Sequence, residues 1–156
     1  MYNHAPKEYQ CPICLAIKGI ENSDTLIRQS DIVYKDNLVT AFVSSFFIGD
    51  NPGHILISPN EHFENIFDLP KEYGHQVFDV AQQVAIAFKK VRNADGITTL
   101  QCNESAGDQH AFHYHFHVYP RFENDNLLLQ LSNKKSTTKE ERLPYAEKLR
   151  KYFERK

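Results

Sequence analysis

The sequence predicts an α+β protein in which an antiparallel sheet packs on one long helix. Three observations carry this. Two apolar runs, 31–35 and 39–45, flank a Lys-Asp-Asn turn and read as a hairpin. From Pro70 to Arg92 apolar residues recur at helical spacing. Residues 112–121 alternate with period two, as a strand does. With short connections between them, the helix is left to cover the apolar face of the sheet.

Taken in order, residues 1–10 form a polar arm expected to be loose, and CPICLAIKG (11–19) a short helix or turn. After the hairpin, FFIGDNPG carries Gly, Asp-Asn and Pro-Gly signals and reads as a loop. HILISP (54–59) is a third strand, stopped by its proline. Pro70 suits the first turn of the long helix, whose stripe is Tyr73, Val77, Val80, Ala81, Val84, Phe88 and Val91. Lys89, Lys90 and Arg92 complement the dipole at its end. ITTLQC (97–102) and FHYHFHVYPR (112–121) are the fourth and fifth strands. NDNLLLQLSNKKS fits no pattern, and a helical tail is expected within 136–156.

One core, and hence one domain over residues 1–156, suits a chain that is 41% hydrophobic with eleven Phe. A net charge of -2 gives no basic field for nucleic acid. No run approaches about 20 apolar residues, so no membrane span is expected. MYNHAPKEYQ lacks the apolar run of a signal peptide. Three cysteines make no disulfide framework. A soluble, reduced, cytoplasmic protein is the expectation.

The chemistry concentrates in HAFHYHFHVYPR. On a strand, His113, His115 and His117 share one face, while Tyr114, Phe116 and Val118 point to the core. With a rise of about 3.3 Å per residue, the Cα atoms of His113 and His117 stand about 13 Å apart. Bonds of about 2.0–2.1 Å to one Zn²⁺ cannot readily span that. The three histidines therefore divide their roles, unless they are merely solvated strand residues. A neutral imidazole is a usable nucleophile near pH 7, provided an acceptor such as a backbone carbonyl holds its other nitrogen.

Cys11 and Cys14 stand at a spacing that lets two thiolates grip one Zn²⁺. Two more ligands are then needed, and the candidates are His62 and one histidine of the triad. A redox dithiol is an alternative, although only a polar arm precedes Cys11 where a thioredoxin-like fold has a strand. Two buried free thiols are a third reading. Asn103, Ser105, Gly107 and Gln109 lie on the turn entering the histidine strand, where amides can face an anionic oxygen, as they also can in an ordinary hairpin loop. Pro52-Gly53-His54 is a turn with a strand-initial histidine.

HYHFHVYPR resembles the His-φ-His-φ-His-φ-φ motif of the histidine triad (HIT) superfamily. The order CPIC, VTAFVSSFF, NPGHILISPNEHFENIFDLP, helix and NESAGDQ extends the resemblance over most of the chain, in a form similar to bacterial diadenosine tetraphosphate hydrolase-like members. The resemblance implies a five-stranded antiparallel sheet, a homodimer, and nucleotide hydrolysis or transfer at an α-phosphate through a covalent nucleotidyl-histidine. It makes His115 the nucleophile and puts Asn103, Gln109 and His117 on phosphate, with His54 nearby. It assigns a structural zinc to Cys11, Cys14, His62 and His113. Two departures stand out. Relatives often have glycine directly before the glutamine, where this chain has Asp108. They often carry Asp or Asn for the ribose hydroxyls where this chain has Ser44 and Ser45, so Phe46 or Phe47 is a candidate for stacking on the base. Competing readings are a non-catalytic nucleotide-binding regulator on the same fold and a hydrolase whose triad holds a catalytic metal.

Overall fold

The structure is a computed structural model and describes residues 2–155. Five antiparallel strands form the main sheet in the order β1-β2-β4-β6-β5. They are β1 (Ile32–Lys35), β2 (Val39–Val43), β4 (Ile55–Pro59), β5 (Gly96–Gln101) and β6 (Phe116–Arg121). A separate two-stranded ribbon joins β3 (Phe46–Ile48) to β7 (Lys134–Ser136). The helices are α1 (Pro12–Ile17), α2 (Lys71–Arg92) and α3 (Lys139–Phe153).

The α+β reading and its five strands hold. α2 buries Tyr73, Val77, Val80, Ala81, Val84, Ala87 and Phe88, six of them in the predicted stripe. All of these but Tyr73 share one core with Ala41, Val43, Ile55, Ile57, Phe116 and Val118 from the sheet. Asn93 ends the helix in the left-handed conformation, φ 52° and ψ 39°. α3 begins in a reciprocal cap between Thr138 and Glu141 and adds Ala146 and Leu149 to the same side of the sheet. Buried Arg142 of α3 pairs with buried Asp31 at 2.8 Å, tying the tail to the start of β1. No helix among the described residues is long and apolar enough to cross a membrane.

Three expectations need correction. FFIGDNPG is not all loop, because Phe46–Ile48 pairs with Lys134–Ser136 out of the unassigned NKKS stretch. The arm, expected to be loose over 1–10, is irregular but docked over its described residues 2–10: the His4 and Ala5 amides donate to the Glu64 carboxylate, and the Tyr9 hydroxyl accepts from the Phe112 amide. Finally, the fifth strand begins at Phe116 and not at Phe112. β4 ends at Pro59, and the last β4–β6 partners are Ile57 and Phe116. Upstream of that, the Tyr114 amide donates instead to the Phe63 carbonyl at 2.6 Å, and the Tyr114 carbonyl accepts from the Ser58 hydroxyl. His113 and His115 thus lie on a segment that has left the ladder.

The turn before His54 is built tightly. Arg92 donates to the Pro52 carbonyl at 2.7 Å and lies 4.7 Å over the Tyr145 ring. Gly53 sits beneath them at φ +75°, where a Cβ would come within 2.5 Å of that ring. Only glycine meets both demands.

Candidate active site and metal centre

Two groups of side chains flank the segment that leaves the ladder. The first is Cys11, Cys14, His62 and His113, whose ligand atoms all lie within 4.8 Å of one another. Cys11 caps α1, and its sulfur accepts from the Cys14 amide at 3.4 Å. His113 Nδ1 lies 3.3 Å from Cys11 Sγ and 3.4 Å from Cys14 Sγ, and His62 Nδ1 is 3.3 Å from Cys14 Sγ. Tetrahedral Zn²⁺ with ordinary bond lengths separates its sulfur and nitrogen ligands by about 3.5 Å. The donor set therefore fits that ion. His113 Nε2 lies 3.0 Å from the Pro59 carbonyl, to which it must donate, and this leaves the Nδ1 lone pair toward the thiols. Cys14 is pushed toward the thiolate, first by its hydrogen bond with Cys11 and also by His113 and His62. Sharing that bond, and burial, hold Cys11 as the thiol.

The second group is His54, His115 and His117. His115 Nδ1 sits 2.7 Å from the His113 carbonyl. A carbonyl can only accept, so Nδ1 carries the proton and Nε2 keeps its lone pair. The rings of His115 and His117 are 5.0 Å apart. His117 Nδ1 lies 3.1 Å from the Tyr119 hydroxyl and 3.3 Å from His54 Nε2. Burial pushes the Tyr119 phenol up, so it stays a donor. His117 Nδ1 then accepts, and its Nε2–H is left to donate. His54 stacks on Tyr119 at 4.2 Å, is 1% exposed, and its Nδ1 has no partner. Burial, then the neighbouring His115, pushes its pKa down to about 3. Burial also lowers His115 and, with His115 and His54 beside it, His117. All three imidazoles are neutral at pH 7.

The loop expected to face phosphate has its polar groups largely engaged within the protein. Gln109 is buried, donates to the Glu64 and Ala111 carbonyls, and accepts from the Glu104 amide. Asn103 exchanges hydrogen bonds with Gln101 and accepts from the Ile66 amide at 2.8 Å. Asp108 has φ 65° and ψ 26°, a conformation glycine adopts without cost, which accounts for the aspartate-for-glycine departure at little penalty. Ser44 is buried beside His54, its amide donating to the His54 carbonyl at 3.0 Å and its hydroxyl accepting from the Phe46 amide. Phe47 is committed to the core against Tyr145, 5.4 Å between ring centroids, so Phe46 is the remaining aromatic for a base.

Sequence reasoning missed Tyr119, although it continues the period-two register of the histidines. It also missed Glu64, whose carbonyl holds Gln109 while its carboxylate holds the arm. A concavity of about 480 Å³ lies elsewhere, lined by Glu21, Arg28, Thr137, Lys139 and Arg142 among others. The chemistry, not the concavity, locates the site.

A five-stranded antiparallel sheet with three alternating histidines at the entry to its β6 strand is the arrangement of a histidine-triad protein. The sequence matches the HIT domain over residues 27–124, and the chain belongs to that family. It is 31% identical over 144 residues to an uncharacterized HIT-like protein of Saccharolobus solfataricus, covering 92% of this chain and 90% of that one. It is 34% identical to the bis(5'-adenosyl)-triphosphatase of Dictyostelium discoideum, covering 66% of this chain and 70% of the other. Its fold is similar to that of a HIT-like protein from Bartonella henselae involved in cell-cycle regulation, with a TM-score of 0.74 and 30% identity over 94% of this chain and 98% of that chain.

The depressed His54 makes a prediction about stability. Its folded pKa of about 3 lies below the ordinary 6.5, so the stabilisation is complete above 6.5 and is lost as pH falls toward 3. Within that window His54 contributes a slope of about 1.4 kcal/mol per pH unit, with His115 and His117 adding in the same sense. Denaturant titrations from pH 7 to pH 4 should show stability falling, and His54→Gln should reduce the slope by about that amount. An unchanged slope would mean His54 is not held neutral by burial.

Proposed function

We propose that the protein is a nucleotide hydrolase or nucleotidyl transferase that works through a covalent nucleotidyl-histidine on His115. The observation that supports this most directly is the Nδ1–H···O=C bond from His115 to His113, which fixes the lone pair on Nε2. A nucleophile needs that lone pair, and burial keeps it unprotonated at pH 7.

In the first step His115 Nε2 bonds to the α-phosphorus as the bond to the leaving group breaks, and the leaving group takes the electron pair. The positive charge arising on the ring is stabilised by the His113 carbonyl. His117 Nε2–H donates to a phosphate oxygen on which charge develops, with His117 itself aligned by Tyr119 and His54. Water then attacks phosphorus, His115 leaves with its lone pair restored, and the water proton passes to solvent or product. Asn103 and Gln109 hold the phosphate loop in shape, and Ser44 and Phe46 border the nucleoside side. The triphosphatase relative from Dictyostelium makes dinucleoside polyphosphates natural candidate substrates; phosphoramidates are the other class the chemistry admits.

Cys11, Cys14, His62 and His113 would hold a structural zinc with all four positions filled by protein. Bound there, it supplies a cross-link between α1 and the segment carrying His115. The exposed Phe78 and Ile86 of α2 and the edge position of β5 in the sheet support a homodimer as the working form.

Three experiments decide these points. Quenching the protein with a dinucleoside triphosphate should reveal a nucleotidyl adduct by mass spectrometry, absent in His115→Ala, whose turnover falls about a thousandfold or more. Wild-type turnover in that variant would remove His115 from the role. Elemental analysis should find about one zinc per chain, with chelation lowering the melting temperature; less than about 0.2 zinc per chain would eliminate the site. Light scattering should give twice the chain mass, and a monomer at micromolar concentration would exclude the dimer.

A further inference from the structure

The β3–β7 ribbon carries a cation that the histidine motif does not account for. Cross-strand partners in an antiparallel pair project to the same side. Phe47 faces the helices, and its partner Lys135 reaches Glu141 of α3 at 3.0 Å on that side. Ile48 faces the other way, into a cluster with Tyr119 and Leu127. Its partner Lys134 therefore projects on the side that carries Tyr119, and with it His54 and His117. The ribbon is anchored there, since the Gly49 amide donates to the Asn133 carbonyl at 3.1 Å. Lys134 is exposed, and its side chain, unlike that of Lys135, has no hydrogen bond or ion pair among the described residues. Its charge is felt at His54 and His117, in keeping with that placement.

We propose that Lys134 is a specificity-determining residue of this site, binding the phosphate next beyond the one His115 attacks, so that substrates leaving as a phosphate chain are favoured over those leaving as an amine. The inference rests on the nucleotide reading above and deepens it. The imidazole rings supply directional hydrogen bonds, and Lys134 is a cation on their side of the ribbon. A leaving phosphate brings extra negative charge into the site, and an amine brings none. A lysine is a point charge on a flexible stem, suited to follow a phosphate chain.

The test compares calorimetric affinities for AMP and for ADP in the wild type, Lys134→Met and Lys134→Arg. The wild type should bind ADP about fivefold more tightly than AMP, as expected of an exposed charge pair. Lys134→Met should abolish that ratio with little change in AMP affinity, and Lys134→Arg should retain it. Because the side chain is exposed, both variants should melt with the wild type. If AMP binds and the ADP ratio is the same in Lys134→Met, this inference alone is overturned. If neither nucleotide binds and no adduct forms on His115, the nucleotide reading falls and takes the inference with it.

Discussion

The carbonyl oxygen of His113 is the atom on which the site depends. It holds the proton of His115 on Nδ1, and so decides which nitrogen of the central histidine keeps its lone pair. It is available because its segment has left the sheet; in a regular ladder, backbone carbonyls are committed to a partner strand. The side chain of the same residue faces the two thiols through Nδ1, with Nε2–H held by the Pro59 carbonyl. One residue thus serves both groups, its backbone fixing the tautomer of His115 and its ring completing the Cys11, Cys14 and His62 cluster. Tyr114 keeps both in place, fixed by Phe63 and Ser58 on its backbone and by the core on its side chain.

Burying His54, His115 and His117 costs solvation, and the fold supplies the compensation locally. His115 has the His113 carbonyl, and His117 has Tyr119 and His54. His54 carries the residual cost, since its Nδ1 is buried and unpartnered. It sits on the turn clamped by Arg92 over Gly53, so the last turn of α2 positions the ring that backs His117. An acid-labile element is therefore built into the support of the site, not onto its surface.

Much of this was legible in the sequence because it rests on period and spacing. The stripe of α2 and the five strands follow from 3.6- and two-residue repeats. The strand boundary at Phe116 was not legible, since the alternation continues unbroken through His113 while the pairing partner stops at Pro59. The β3–β7 ribbon was hidden for a different reason: Lys134, Lys135 and Ser136 are all exposed, and three polar residues carry no burial alternation. Tyr119 could have been found, being two residues beyond His117 in the same register. The engagement of Gln109 with backbone on both sides depends on Glu64, which is 45 residues away in sequence.

That last contact joins parts of the molecule that look independent. Glu104 has φ 60° and ψ 166°, a region almost reserved for glycine, and costs of order 1–3 kcal/mol in such a position. It persists because Gln109 brackets it, the side-chain oxygen accepting from the Glu104 amide and the Gln109 amide donating to the Glu104 carbonyl. Gln109 is in turn held by the Glu64 carbonyl, while the Glu64 carboxylate receives the amides of His4 and Ala5. The His4 ring closes the circuit on Glu104 at 2.7 Å. The arm that leads into Cys11 and Cys14 and the loop that leads into His115 are thus one unit, meeting at Glu64. A metal held at the cysteines would then do more than fasten an N-terminal arm: it would help hold the strained loop in the one conformation that Gln109 can brace.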